Sequence, residues 1–146
     1  MNILDFGAKR GAFCGDAIQR AIDAAAAQGG GRVNVPAGEY ETASLVLRSN
    51  VELHLEAGAV LRFVDDFDAY PVVNIRWEGY EQPCHRPLVY AKNEANVALT
   101  GLGTLEGQGK KWWTAFRAKT LSPHRRNIRQ TSDGKRHTAC RSAPED

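Results

Sequence analysis

Hydrophobic and polar residues fall into two regimes along the chain. Between Asp16 and Gln28, Ile18, Ala21, Ile22 and Ala25 recur at helical spacing and make one apolar stripe. That spacing predicts an amphipathic helix. Asp16 is a good N-cap, and Gln19 three residues later completes a capping-box pattern. Gly29-Gly30-Gly31 then stops the helix, because glycine reaches the left-handed conformations that a C-terminal cap requires. Ahead of the helix, Asn2–Gly7 reads as a short strand ending at a glycine.

From Arg32 to Gly107 the period changes to two. Val33 and Val35 alternate with Arg32 and Asn34 until Pro36, and Val51, Leu53 and Leu55 alternate with Glu52, His54 and Glu56. Shorter apolar runs follow at Leu45–Leu47, Val60–Phe63, Leu88–Tyr90, Val97–Leu99 and Thr104-Leu105. Gly, Asn and Ser turns separate them. No helical pattern long enough for a crossover lies between them, which argues against an ordinary α/β sheet. The segment also repeats itself. Asn50-Val51-x-Leu53 returns as Asn96-Val97-x-Leu99, an offset of 46 residues that reads as two steps of about 23 with Leu88–Ala91 between them. Short strands, sharp turns and such a repeat predict a parallel β-helix whose inward side chains stack as aliphatic ladders. The Asp16–Gln28 helix is placed to cap the apolar end of the first coil. Between Phe63 and Pro87 the pattern lapses, as expected of a long excursion from the coil.

Composition adds little to this picture, and charge adds one feature. At 146 residues, 42% apolar and 25% charged, the chain reads as one soluble globular domain. No stretch approaches the ~20 apolar residues that span a bilayer. The N-terminus has no basic region followed by an apolar run, so no signal peptide is visible and a cytoplasmic location is expected. Cys14, Cys84 and Cys140 fit neither a disulfide framework nor a zinc site and are read as reduced thiols. Net charge is +2, but residues 117–146 carry eight Lys/Arg against three acids, leaving −3 on the first 116. The asymmetry could mark a nucleic-acid arm; a different origin is favoured below, and no nucleic-acid partner is expected.

The residues then resemble a known family. Asp5-Phe6-Gly7-Ala8-Lys9, Ala17–Asp23 and Gly29–Tyr40 resemble the opening of pectin-active β-helix enzymes, an opening shared with pectate-lyase-like proteins and phage tailspikes. Leu45–Ala59, Arg76-Trp77-Glu78-Gly79, Ala98–Gly109 and Trp112-Trp113 narrow the likeness to family 28 glycoside hydrolases, the polygalacturonases, over residues 2–119. The resemblance implies a right-handed parallel β-helix of the pectin lyase-like superfamily and a pectin-type polysaccharide or oligogalacturonate as substrate. It implies no cofactor and no metal. Departures are small: the Arg10–Gly15 loop is short and lacks the family's Gly-Asp-Gly, and Glu106 stands where aspartate is commoner. The large departure is that the family's Asn-Thr-Asp, Asp-Asp, Gly-His-Gly and Arg-x-Lys motifs, which lie well downstream of the Trp-Trp, do not occur. Inverting hydrolysis needs a carboxylic acid and a carboxylate ~6.5–9.5 Å apart. No catalytic residue is therefore assigned, and the chain by itself is expected to be inactive.

Residues 1–121 are thus predicted to be the N-terminal part of such a β-helix, about four coils long. Residues 122–146 form a basic tail with one large aliphatic residue, Ile128, too few to offset chain entropy. A disordered or frameshifted tail is predicted; a gene read in another frame after codon 121 should then encode Asn-Thr-Asp and Gly-His-Gly. The broken solenoid end is expected to self-associate.

Arg76, Trp77 and Glu78 are the predicted substrate contacts, since an indole face stacks on sugar rings and a guanidinium binds a uronate carboxylate bidentately. Asp65-Asp66 is read as a solvated loop pair, His54 as solvated on the polar phase of its strand, and Trp112-Trp113 as including a buried packing anchor. Two other functions remain open: a non-catalytic carbohydrate-binding or tailspike-like β-helix, and a pectate-lyase-type enzyme, which would need calcium carboxylates.

Overall fold

A computed structural model of the chain describes residues 1–77 and 79–118; Glu78 and residues 119–146 lie outside the described residues. The tail predicted at 122–146, with Cys140 in it, lies outside the described residues. Two helices, α1 (Gly15–Ala27) and α2 (Lys110–Arg117), bracket ten strands. These are β1 (Gly31–Val35), β2 (Gly38–Thr42), β3 (Leu45–Val46), β4 (Val51–Leu55), β5 (Ala59–Phe63), β6 (Val72–Trp77), β7 (Tyr80–His85), β8 (Val89–Tyr90), β9 (Ala98–Gly101) and β10 (Thr104–Glu106).

The pairing makes a solenoid. Three sheets run in the orders β1-β4-β9, β10-β5-β2 and β3-β8, every pair in them parallel. The chain winds through one strand of each sheet and returns one level further on. β1, β2 and β3 make the first coil, β4, β5 and β8 the second, and β9 and β10 begin a third. Where about four coils were expected, the described residues form two complete ones and part of a third.

The repeat length is corrected as well. Gly31 pairs with Val51, an offset of 20, and Gly38 with Ala59, an offset of 21. Glu52 pairs with Ala98, so the 46-residue self-match spans one coil rather than two. The second coil is long because residues 64–87 leave it between β5 and β8, as the lapse in period suggested. β6 and β7 pair antiparallel within this excursion. Asn50 and Asn96 mark the same corner on successive coils. Both sit at positive φ (63° and 54°), which asparagine tolerates, and Asn96 donates its side-chain amide to Asn50 Oδ1 at 3.0 Å.

Period two becomes burial. Val33, Leu53 and Leu99 stack inward on one wall, and Tyr40, Leu61 and Leu105 on another. In the first two coils these residues are fully buried, and each such side chain contributes about 1.5–3 kcal/mol. On the third coil Leu99 is 42% and Leu105 40% exposed, because no further coil lies on them among the described residues. The outward residues form polar ladders. Arg62 holds Glu106 at 2.9 Å on one side and Glu39 at 3.2 Å on the other. Such exposed pairs each contribute little to stability, ~0–1 kcal/mol. β2, which the sequence pattern did not single out, alternates in the same way through Glu39, Tyr40, Glu41 and Thr42.

The other end of the solenoid is closed. α1 buries Ala17, Ile18, Ala21, Ile22 and Ala25 against the first coil, the stripe its sequence carries. Its N-terminus is not the expected capping box. Helix geometry begins at Gly15, so Asp16 lies in the first turn, and the N-cap Cys14 makes no side-chain cap bond. Gln19 instead turns to β3: its amide donates to Val46 O and accepts from Val46 N, both at 2.9 Å, replacing a missing neighbouring strand. The short strand expected over Asn2–Gly7 is a 3-10 turn at Ile3–Phe6. Asn2 accepts from Leu4 N at 2.9 Å and Gly7 closes the turn in the left-handed region, so local bonds displace a ladder. A single bridge, Asn2 to Asn34, remains of the strand. Among the described residues no helix is long and apolar enough to cross a membrane.

Candidate functional site

The excursion carries the predicted contacts. In the β6–β7 ribbon Trp77 stands opposite Tyr80, Arg76 opposite Glu81 and Val72 opposite His85. Successive strand residues project to opposite faces, so Trp77 and Arg76 do not converge. Trp77 shares its face with Tyr80, and the two are 58% and 66% exposed. Arg76 shares the other face with Glu81. The predicted trio is thus divided, and Glu78 lies outside the described residues. Tyr80 is the ring that sequence reasoning missed. Its signal was available: a glycine next to it, at positive φ, turns a two-strand ribbon and brings it back onto Trp77.

At the root of the ribbon the packing is aromatic. Trp112 of α2 meets Phe67, Tyr70 and His85 at ring-centre distances of 4.5, 5.1 and 5.4 Å. It is the packing anchor expected of the tryptophan pair. Trp113 faces outward, with the Arg117 guanidinium 4.6 Å from its ring centre. Tyr70 donates to Val64 O at 2.7 Å, and burial, followed by the charges of Asp65 and Asp66, pushes its hydroxyl pKa up to about 12. Arg86 donates to Ser44 Oγ at 2.8 Å, tying the returning chain to the first coil. Between this root and the segment after β10 lies a cleft of about 410 Å³, with Tyr70, His85, Arg86 and Trp112 among its walls.

Carboxylates elsewhere serve the ladders. Glu52 is held below the usual carboxylate range, chiefly by the Thr100 hydroxyl and then by Arg32. Glu94 is held low by the hydroxyl and backbone N–H of Ser49. A general acid needs the opposite shift. Asp66 caps the 3-10 turn at Phe67–Ala69 by accepting from Asp68 N, and both Asp65 and Asp66 face solvent. His54 Nδ1 lies 2.8 Å from Thr100 Oγ1, whose own proton goes to Glu52 Oε1 at 2.6 Å. That hydroxyl can then only accept from His54, so this histidine is a member of the outer ladder.

Comparison with known proteins agrees with the architecture. No family model matches the chain. It is 34% identical over 126 residues to an exo-poly-alpha-D-galacturonosidase of Dickeya chrysanthemi, an alignment covering 76% of this chain and 20% of that protein. Its fold matches a hyperthermoactive exopolygalacturonase of Thermotoga maritima with a TM-score of 0.74 at 39% identity, over 85% of this chain and 29% of that one. It also matches a family 28 exopolygalacturonase of Yersinia enterocolitica, TM-score 0.63 at 33% identity, over 73% and 20% of the two chains. The chain spans about a fifth of the length of the curated relatives it matches. By sequence and by fold together, it is homologous to the polygalacturonases of glycoside hydrolase family 28 and corresponds to a part of their β-helix.

Proposed function

We propose that the chain supplies the capped first coils of a galacturonan-hydrolysing β-helix, and that its β6–β7 ribbon contacts the polysaccharide. The observation carrying this reading is the exposed Trp77–Tyr80 pair on a ribbon that leaves the solenoid, on a chain homologous to polygalacturonases. Two rings side by side give apolar faces for pyranose C–H groups, and Arg76 near the same tip offers a charge for a uronate carboxylate. By itself the chain hydrolyses nothing. Its sequence lacks the aspartate motifs that the resemblance requires, and the carboxyls perturbed among the described residues are shifted away from acid catalysis. Among the described residues β9 and β10 are edge strands, and self-association of the chain through them is part of the same reading.

The test is incubation of the 146-residue chain with polygalacturonate, following reducing ends and binding separately. Binding without release of reducing ends is expected, with binding weakened in Trp77→Ala. Steady release of reducing ends overturns the inactive reading, and binding indifferent to Trp77 and Tyr80 overturns the ribbon as the contact.

A further inference from the structure

The cleft at the root of the excursion has the makings of a second binding site. We propose that it takes one hexuronate unit, a carboxylate on a hydroxylated pyranose ring, with Arg86 as the partner of the carboxylate. This deepens the galacturonan reading and rests on it for the identity of the sugar.

Arg86 is the starting point. Three arginines are half-buried among the described residues: Arg48, Arg62 and Arg86. Arg48 holds Asp23 at 2.9 Å, and Arg62 holds Glu106 at 2.9 Å. Arg86 spends its Nε on Ser44 Oγ and one terminal nitrogen on Ser44 O, at 2.8 and 3.3 Å, and both acceptors are neutral. No carboxylate among the described residues pairs with it, and a guanidinium has five N–H donors. A partly desolvated cation without a counter-ion favours an anion at that place.

Two further groups on the cleft walls are incompletely used. The Trp112 indole N–H is buried and finds no acceptor among the described residues, and a buried donor left unpaired costs about 1–3 kcal/mol. His85 Nδ1 lies 3.0 Å from Tyr70 O. A carbonyl only accepts, so Nδ1 carries a proton and the neutral ring keeps Nε2 as an acceptor. The cleft thus combines a cation, a donor and an acceptor with the apolar walls of Pro87 and Leu88, and Gly107 and Gly109 leave room by having no side chain. Its volume of about 410 Å³ lies in the range of small-ligand sites. An inorganic anion would use Arg86 and waste the apolar walls. A neutral sugar would use the walls and leave Arg86 unpaired. A hexuronate uses both.

The experiment titrates the 146-residue chain with D-galacturonate, D-galactose and inorganic phosphate, by calorimetry and by the NMR signals of the three indole N–H groups. Galacturonate is expected to bind at least about ten-fold more tightly than either control and to move the Trp112 indole signal. Arg86→Gln should remove most of that preference and Arg86→Lys retain part of it, while Arg20→Gln, on α1 and outside the cleft, leaves it intact. Equal binding of the three ligands overturns the proposal. So does a shift confined to the Trp77 or Trp113 indole, or an Arg86→Gln chain with native spectrum and unchanged preference. Should galacturonate bind here while polygalacturonate binding ignores the ribbon, the ribbon reading fails and the cleft stands. The reverse pattern sinks the cleft alone.

Discussion

Trp77 and Tyr80 face each other in register across the tip of the β6–β7 ribbon, each more than half exposed. Large rings are seldom left in water on both strands of a pair unless something covers them at times. Replacing either by alanine removes little buried area. Trp77→Ala and Tyr80→Ala should therefore change unfolding free energy by no more than about 0.5 kcal/mol. Oligogalacturonate binding should weaken about three- to ten-fold in each, and Arg76→Ala should act independently of them because it sits on the opposite face. Calorimetric titration beside urea unfolding checks the pair of effects. Variants that lose stability and binding in parallel would mark Trp77 as a packing residue.

The corner at Gly101 has no room for a side chain. Its φ is 104°, and a Cβ there would run into the backbone of Leu55 on the coil before. Gly101→Ala should cost about 2–4 kcal/mol through strain and displacement of the third coil. Gly109, with φ −69° and nothing within 4 Å of an added Cβ, is the control: Gly109→Ala should be neutral or slightly stabilising. Denaturant midpoints of the two variants decide it, and equal midpoints would contradict the stacking of β9 on β4.

Leu53 is completely buried between Val33 and Leu99, whereas Leu99 is 42% exposed at the end of the same ladder. Leu53→Ala should cost about 2–5 kcal/mol, and Leu99→Ala clearly less. Among the described residues β9 is an edge strand. β9 presents Ala98, Leu99, Thr100 and Gly101 with no charge to guard its edge. The chain should associate in the micromolar range, and a Leu99→Lys/Leu105→Lys double variant should shift sedimentation toward the monomer. A wild-type chain that stays monomeric up to about 100 μM would contradict the association.

Acid should loosen the solenoid through its outer ladders. The folded state holds both carboxyls below the usual carboxylate range, Glu52 chiefly through the Thr100 hydroxyl and Glu94 chiefly through the Ser49 hydroxyl. A carboxyl with a depressed folded pKa stabilises the fold above its unfolded value, and that contribution is lost as pH falls through the folded value. Stability should therefore be flat through neutral pH and decline below about pH 4.5. Glu52→Gln should lower the plateau and flatten the decline, as read from urea midpoints between about pH 3 and 7. A decline centred near about pH 6 would instead point to histidine.

The sequence by itself determined the wall of this molecule. Alternation at Val51, Leu53 and Leu55, the apolar stripe of α1 and the recurring asparagines at 50 and 96 each follow from short-range stereochemistry, which acts on neighbours along the chain. In the structure Val51, Leu53, Leu55 and the α1 stripe are buried, and the two asparagines sit at exposed corners. The excursion too is legible, as the absence of period two after Phe63.

Tertiary structure decided what depends on residues distant in sequence. Self-similarity misjudges the coil length because it measures the offset between stacked corners and cannot tell an inserted ribbon from an extra coil. Gln19 has the local spacing of a capping residue, yet the unpaired backbone of Val46, 27 positions away, competes for the same amide. Trp77 and Arg76 are neighbours in the chain, but strand formation sends them to opposite faces and brings Tyr80 beside the indole. Arg86, His85 and Trp112 share a cleft only because the excursion returns to the coil where α2 leaves it. Local pattern fixes which side of a strand faces inward; the pairing of coils fixes which side chains meet, because that energy is gained only when separate segments share one surface.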